Sequence, residues 1–559
     1  MRARHVLLAI AAGLALADAS IVTLALPELL FDLSTTVEGV AAVIGVYTVF
    51  LAASLLPAER LMRRIGPARL GAGGLLLFGL ASLFAGLAGT LAVLLLARAA
   101  QAVGGAAALV AVFTLLVHRE GAQKSARGLW LGAAVLSAAI GPALGGALTQ
   151  AFSWHAIFLF QAPVAAIAAL VCAREAWEPP AAEEEEPLED APRFDPAPAA
   201  ALALVSAALT AVLFLLVLLL VAGWAVTPLR AALTVTIVPA AALVGSRLGG
   251  PARARAAVGC LLVGLGTWAL AFLPEPHLAW TFAAQAFAGL GMGLALPALG
   301  GELLPERNAH DAARLLTVRH VGIAIALAIL APVTAARLDS ATRDATQRGV
   351  GLILDARLDP LLKLRLAPKL LAGVDSASPR GGLRSAATKE RVSIPPAQRP
   401  EYDRVVKRAD DTVILAIGES FFPAFLITGA FAVLAGLAVA LEGRTRERRV
   451  PAWAMAALLI GVVALAAQVV AWQAIKPAKP PLSDPCKPRR LPPATGATGA
   501  LQDQLLKFVD GAACKFGSSR EELVLALLQP SEAKRYEREH HVDPRALNGL
   551  IKLLGGLIG

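Results

Sequence analysis

Charge is scarce in this 559-residue sequence: Asp, Glu, Lys and Arg together make up 16%, against about 25% in an ordinary soluble domain. Aromatic residues reach only 5%, and there are four cysteines. No Gly-rich loop ending in Lys-Ser or Lys-Thr occurs, which argues against ATP as the energy source. The basic residues are not interleaved with aromatics, so nothing points to nucleic acid. No serine or cysteine nucleophile set is visible, and an enzyme is not expected. His540 and His541 adjoin without further clear ligands, so no metal site is expected either. What is abundant is apolar sequence, 57% of the residues, with a mean hydropathy of +0.66. Several soluble cores in a row would not carry this much, and disorder is excluded. A polytopic membrane protein remains. Alanine, leucine, valine and glycine supply most of the apolar content, and small residues suit close helix packing in lipid.

About thirteen stretches are long and apolar enough to span a bilayer, near 6–27, 37–57, 70–89, 90–116, 127–150, 155–174, 199–223, 229–248, 255–273, 278–301, 313–335, 413–440 and 451–473. Lipid leaves no other partner for the backbone amides, so these are helices and the fold class is all-α. Basic residues fall on every second loop: Arg2 and Arg4, then Arg60, Arg63, Arg64 and Arg69, then Arg119, Lys124 and Arg127, then Arg247, Arg253 and Arg255, then Arg444 to Arg449. Arg230 is the one mild exception. This alternation puts the N-terminus in the cytoplasm of a plasma (inner) membrane protein and accounts for the net charge of +10. Arg2, Arg4 and the run to Ala17 have the look of a secretory signal. The apolar run, however, continues through Ile21 to Leu26, a full span.

The organisation that follows is an N-terminal six-helix half (1–175), an acidic cytoplasmic linker (176–198), a C-terminal six-helix half (199–440) with an extracytoplasmic insert (337–412), an extra transmembrane helix (441–473) and an extracytoplasmic helical tail (474–559). The linker is solvated, with Glu183 to Glu186 in a row. In the insert, Leu358, Leu361, Leu362, Leu366 and Leu370 recur at helical spacing over 352–371. They predict an amphipathic helix on the membrane surface or capping the protein, the alternative being a loop of little order. In the tail, Ser519 with Glu522 resembles a capping box and Asp543-Pro544 is a helix start, so a small helical module is predicted over 500–556. An oxidising compartment favours a disulfide between Cys486 and Cys514. Cys172 and Cys260 lie within spans and read as packing residues.

A few polar residues sit inside spans. Asp18 lies in the middle of the first, where a carboxylate is expensive and usually functional. Burial disfavours its charged form, which makes it a candidate to bind and release a proton; the bland alternative is an aspartate hydrogen-bonded to neighbouring helices. Arg98 in the fourth span needs an acceptor, unless it snorkels to the cytoplasmic edge. Gln101 lies one turn away and shares its network. Pro142 among Gly141, Gly145 and Gly146 removes a backbone hydrogen bond and permits close helix approach. Glu419 and Gln285 are weaker cavity candidates. His320 and Gln468 read as interhelical contacts.

Two six-span halves joined by a linker suggest a transporter built from repeats. Four motifs make this specific. Asp18 to Pro27, DASIVTLALP, looks like the first-helix signature "L-D-x-T-I-V-N-V-A-L-P" of drug:proton antiporters in the major facilitator superfamily. Arg98 to Gly104 is similar to that family's fourth-helix "R-x-x-Q-G-x-G". Gly141 to Gly146, GPALGG, matches the fifth-helix antiporter motif, and Trp154 to Pro163 resembles the entry to helix six. The resemblance covers residues 15–165 and is closest to the fourteen-span multidrug efflux branch, with 12+1 spans in place of fourteen. It implies proton coupling through Asp18 and Arg98, and a Gly-Pro-Gly-Gly run that seals the path between the halves. The inner gating loop departs from the family pattern: in Glu59 to Arg69, the leading glycine is Glu59 and the aspartate is Arg63, followed by Arg64 and Gly66. The matching loop of the second half, 245–250, also lacks its acid.

The expectation is therefore a monomeric, proton-coupled exporter of small lipophilic or cationic compounds, working by alternating access with the proton gradient as energy source and no cofactor. Its partners are a small-molecule substrate and the bilayer, with an envelope partner conceivable for the tail. The alternative is a transport-silent scaffold or sensor working through the insert and tail.

Overall fold

The computed structural model describes residues 2–117, 141–175, 195–304, 308–374, 379–442, 451–476, 479–482, 484–487 and 496–544. Among them, eleven helices are long and apolar enough to cross a membrane, and Val6–Asp18 is a shorter apolar stretch. Most of the expected 127–150 span, the acidic linker and the Asp543-Pro544 start lie outside the described residues or at their edge. The chain divides into two compact units. The first comprises Met1–Val221, Val226–Ala335 and Phe421–Ala474. The second comprises Ala222–Ala225, Ala336–Ser420 and Ile475–Gly559.

In the first unit, the N-terminal half contains α1 (Arg2–Thr23), the short α2 (Leu26–Asp32), α3 (Val37–Ile65), α4 (Pro67–Gly86), α5 (Leu91–Val117), α6 (residues 141–151) and α7 (Trp154–Ala173). Alanine and glycine let these helices touch at the backbone. A Cβ on Gly104 would come within 2.7 Å of the Gly74 carbonyl oxygen. The core of this half joins Leu8, Leu51, Phe78 and Phe113, and Ala313 and Leu316 of the second half enter the same cluster.

The second half contains α8 (Pro196–Leu218), α9 (Pro228–Val235), α10 (Ile237–Gly245), α11 (Ala252–Ala271), α12 (Ala279–Pro297), the first part of α13 (Ala309–Leu354) and the end of α16 (Arg399–Glu442). The expected span 229–248 is two helices that meet at Thr236. Pro239 has no N–H for the Val235 carbonyl, so the continuous ladder breaks there. The last of the eleven long apolar helices among the described residues, α17 (Ala452–Ile475), packs Ala454 on Val258, Leu262 and Leu294 of α11 and α12. Gln468 on α17 donates to the carbonyls of Ala269 and Trp280.

The second unit holds the end of α13, α14 (Pro360–Val374), α15 (Pro379–Arg391), the start of α16, α18 (Gly496–Phe516), α19 (Arg520–Leu528) and α20 (Pro530–His540). The helix expected over 352–371 is interrupted. The α13 helix ends at Leu354, and α14 begins at Pro360 with the Asp359 carboxylate accepting the N–H groups of Leu361 and Leu362. An Asp N-cap followed by Pro at the first position is a start signal in mid-pattern. Leu366, Leu370 and Leu371 of α14 are buried, Leu371 against Val350 and Leu525 of the tail, while Leu361 is exposed. Ser519 accepts the Glu522 N–H and starts α19. Cys486 and Cys514 form a disulfide, Cα–Cα 5.0 Å, while Cys172 and Cys260 are buried free thiols. Arg520 is fully buried and pairs with Asp355 at 2.9 Å and Glu521 at 3.0 Å, joining insert to tail.

Candidate functional site

Helices α1, α3, α4, α5 and α7 converge on one polar cluster inside the N-terminal half. Asp18, Ser82, Arg98, Gln101 and Gln161 are each fully buried. In apolar surroundings such groups persist only when paired. Arg98 Nη1 lies 2.5 Å from Asp18 Oδ2 and donates to Gln101 Oε1 at 2.6 Å, while its Nε donates to the Val43 carbonyl at 3.1 Å. Gln161 Nε2 donates to Asp18 Oδ1 at 3.0 Å. Gln101 Nε2 lies 2.7 Å from Gln161 Oε1, 2.8 Å from Ser82 Oγ and 3.5 Å from Asp18 Oδ1. The guanidinium stacks 4.2 Å from the Tyr47 ring centroid, and the Tyr47 hydroxyl donates to the Ala15 carbonyl.

The structure therefore brings Asp18, Arg98 and Gln101 together and adds three residues that pattern reading does not single out: Ser82, Tyr47 and Gln161. Gln161 carried a signal, as a lone amide in the apolar run 156–172. Two atoms of the cluster have unmet hydrogen-bonding capacity, Arg98 Nη2 and Asp18 Oδ2. Oδ2 is held by charge alone. A buried ion pair loses its balance when one member is removed, so Asp18 and Arg98 depend on each other.

The glycine motif sits beside this cluster on α6. A Cβ on Gly141 would meet the Ser20 hydroxyl, and one on Gly145 the Ile21 carbonyl oxygen, both on α1. Gly146 faces the other half: its Cβ would strike Ala232 and come within 3.0 Å of the Pro228 oxygen. One turn on, Gln150 Oε1 accepts the Leu229 N–H at 2.9 Å. The halves thus meet at this end through α6 and α9. At the same end, Glu28 accepts the backbone N–H of Trp154 at the start of α7, and Asp32 accepts its indole N–H. Burial, with Asp32 nearby, pushes the Glu28 carboxyl up from its ordinary value.

At the opposite end, the run from Glu59 is not a loop. Residues 59–65 complete α3, because buried Leu55, Ala58 and Met62 keep its apolar face going, and the chain turns only at Gly66, at φ +84°. Glu59 is 2% exposed, 2.5 Å from Arg63 and 3.3 Å from His310 Nδ1 on α13. Arg64 lies exposed in the same last turn. In the second half the acid comes from outside the loop: Glu302 pairs with Arg255, whose Nε donates to the Gly250 carbonyl.

The remaining candidates stand apart. Gln285 is fully buried, donates to Thr281 and has an Oε1 without a hydrogen-bond partner. Glu419 belongs to the second unit and is paired with Lys476 at 3.0 Å and with Lys479. Those lysines lie far along the chain, so helical spacing around Glu419 carried no sign of them.

Comparison with known proteins bears on the family and the fold. Residues 8–330 match the model of the Major Facilitator Superfamily. The multidrug resistance protein Stp of Mycobacterium tuberculosis is 34% identical over 174 residues, 30% of this chain and 32% of Stp. The tetracenomycin C resistance and export protein of Streptomyces glaucescens is 34% identical over 169 residues, 30% of this chain and 31% of that protein. The chain thus spans about a third of the length of these relatives. In fold it is similar to a bacterial homolog of the human lysosomal transporter Spinster, with TM-score 0.56 and 17% identity over 80% of this chain and 98% of that one. With more than half of its length matched by the family model, the chain belongs to the Major Facilitator Superfamily.

Proposed function

We propose that this protein is a proton-coupled exporter of small lipophilic or cationic compounds, in which Asp18 and Arg98 carry the coupling. The observation that carries the reading is the fully buried Asp18–Arg98 pair, 2.5 Å apart, wrapped by Gln101, Gln161 and Ser82. In one facing state Arg98 neutralises the carboxylate. When the halves rock and the pair separates, a proton takes the place of Arg98 on Asp18. The proton and the substrate need only bind the two states unequally for transport to be coupled. Support for export comes from relatives named for drug resistance and export. The reading places the protein in the plasma membrane as a monomer, N-terminus cytoplasmic, with insert and tail outside, the side on which the Cys486–Cys514 disulfide is favoured.

The test uses proteoliposomes with an imposed pH gradient and a fluorescent lipophilic cation. Wild type is expected to move the dye against its gradient, and Asp18→Asn to lose gradient-driven movement while retaining downhill exchange. Uphill movement by Asp18→Asn at the wild-type rate overturns the assignment.

A further inference from the structure

A cleft of about 330 Å³ lies wholly within the second unit, between the end of α13, the start of α16 and the proline segment 480–482. Its size is at the small end of ligand sites. Leu352, Val405, Leu482 and the prolines give it apolar walls. Its charges divide into used and unused. Arg348 is held by Asp344 and by the Pro480 carbonyl, and so fastens the proline segment over the cleft. Asp355 is engaged by the buried Arg520. Glu401 accepts from Arg404 and from the Arg357 N–H. Arg408 has no ion-pair partner among the described residues, and it stands one helical turn from Arg404 on the same face, both side chains exposed to the cleft. Like charges four residues apart on a helix repel. Asp355 is already taken by Arg520, and Glu401 engages Arg404 through Nη1 alone, so an anion seated at Arg408 and reached by the remaining N–H groups of Arg404 would offset the one lining charge that has no counter-ion among the described residues.

We propose that this cleft binds a phosphate-type oxyanion carried on a small apolar group, with Arg408 as its main ligand and the N–H groups of Arg404 that Glu401 does not use as its second. Two forked guanidinium groups suit the oxygens of a phosphate, and the leucine, valine and proline walls suit a short apolar attachment. The same chemistry is presented by the headgroup of an anionic phospholipid and by a soluble phosphate ester. The site is independent of transport and does not rest on the coupling role given to Asp18.

The test uses the full chain in a phosphorus-free maltoside detergent and follows phosphorus NMR line broadening of three probes: dihexanoyl phosphatidylglycerol, dihexanoyl phosphatidylcholine and inorganic phosphate. Saturable broadening of the phosphatidylglycerol is expected, weakened roughly tenfold or more in Arg408→Ala and in Arg404→Ala. Arg408→Lys should retain part of it, and Arg384→Ala, outside the cleft, should retain all. Thermal unfolding of each variant separates loss of the site from loss of the fold. Binding of the phosphatidylglycerol without inorganic phosphate assigns the site to lipid. Binding of both, lost together in Arg408→Ala, assigns it to soluble phosphate esters as well. Absence of binding by every anionic probe, equal binding of the phosphatidylcholine, or binding indifferent to Arg404 and Arg408 overturns the proposal.

Discussion

His310 Nδ1 at the start of α13 lies 3.3 Å from the buried Oε2 of Glu59 at the end of α3, so one carboxylate bridges the two halves of the transporter fold. Arg63 holds the other oxygen of the same carboxylate. Glu59 is an acid one helical turn before Arg63, the position where the resemblance leads one to expect an aspartate. Glu59→Gln is expected to shift the equilibrium toward states open at this end. Spin labels at Arg60 and Asp311, with Cys172 and Cys260 replaced, should show a larger long-distance population in Glu59→Gln than in its parent. An unchanged distribution removes the latch role from Glu59.

Gln161 supplies the amide that orders Asp18 from the side opposite Arg98. Truncating it leaves Asp18 Oδ1 and Gln101 short of partners, a loss of about 1–3 kcal/mol for each buried group left unsatisfied. Gln161→Ala should therefore slow gradient-driven transport by about tenfold or more, with a shifted pH profile, while downhill exchange persists. A packing role alone would lower the thermal midpoint and leave the pH profile where it was.

The fold was legible because its signal is coarse. Spans of about 20 apolar residues and basic loops in alternation need no tertiary information. Asp18, Arg98 and Gln101 were legible for a related reason: polar side chains stand out in lipid-length apolar runs. Their partners were harder to see, because Ser82 and Gln161 reach the cluster only through the helix packing, 19 and 60 residues from Gln101. The run from Glu59 misled, because its many charges read as loop. A helix tolerates such charges when Ala58 and Met62 still bury on its inner face. In the insert, leucine periodicity ran across the α13–α14 junction and concealed the Asp359-Pro360 break.

Gly146 is the only residue of the glycine motif whose absent side chain makes room for the other half, since Gly141 and Gly145 make room for α1. Gly146→Val should wedge α6 from α9, whereas Gly145→Val should destabilise the N-terminal half itself. Overpacking of this kind costs about 1–3 kcal/mol. Labels at Thr35 and Thr227 should report a longer mean distance in Gly146→Val at a nearly unchanged thermal midpoint. Gly145→Val should lower the midpoint. Equal behaviour of the two variants denies Gly146 a separate function.

Lys363 on α14 gives the second unit a pH dependence of its own. Its side chain is 5% exposed and its Nζ donates to the Leu354 carbonyl at 2.9 Å. Burial pulls the amine down to about 8, opposed by Asp355 and assisted by Arg520. In the unfolded chain the amine titrates near its ordinary value of about 10.4. Between these two values the unfolded chain holds a proton that the folded one has released, so stability rises with pH across the window and does not respond to this group below it. The gain from pH 7.5 to pH 9.5 is about 1–2 kcal/mol. Pulse proteolysis of the full chain in urea, following the fragment that contains α14, should show the midpoint moving upward over that interval. In Lys363→Met the unfolded chain no longer carries the extra proton, and the rise should flatten. A wild-type midpoint that falls with pH, or a rise that survives in Lys363→Met, assigns the dependence to another group.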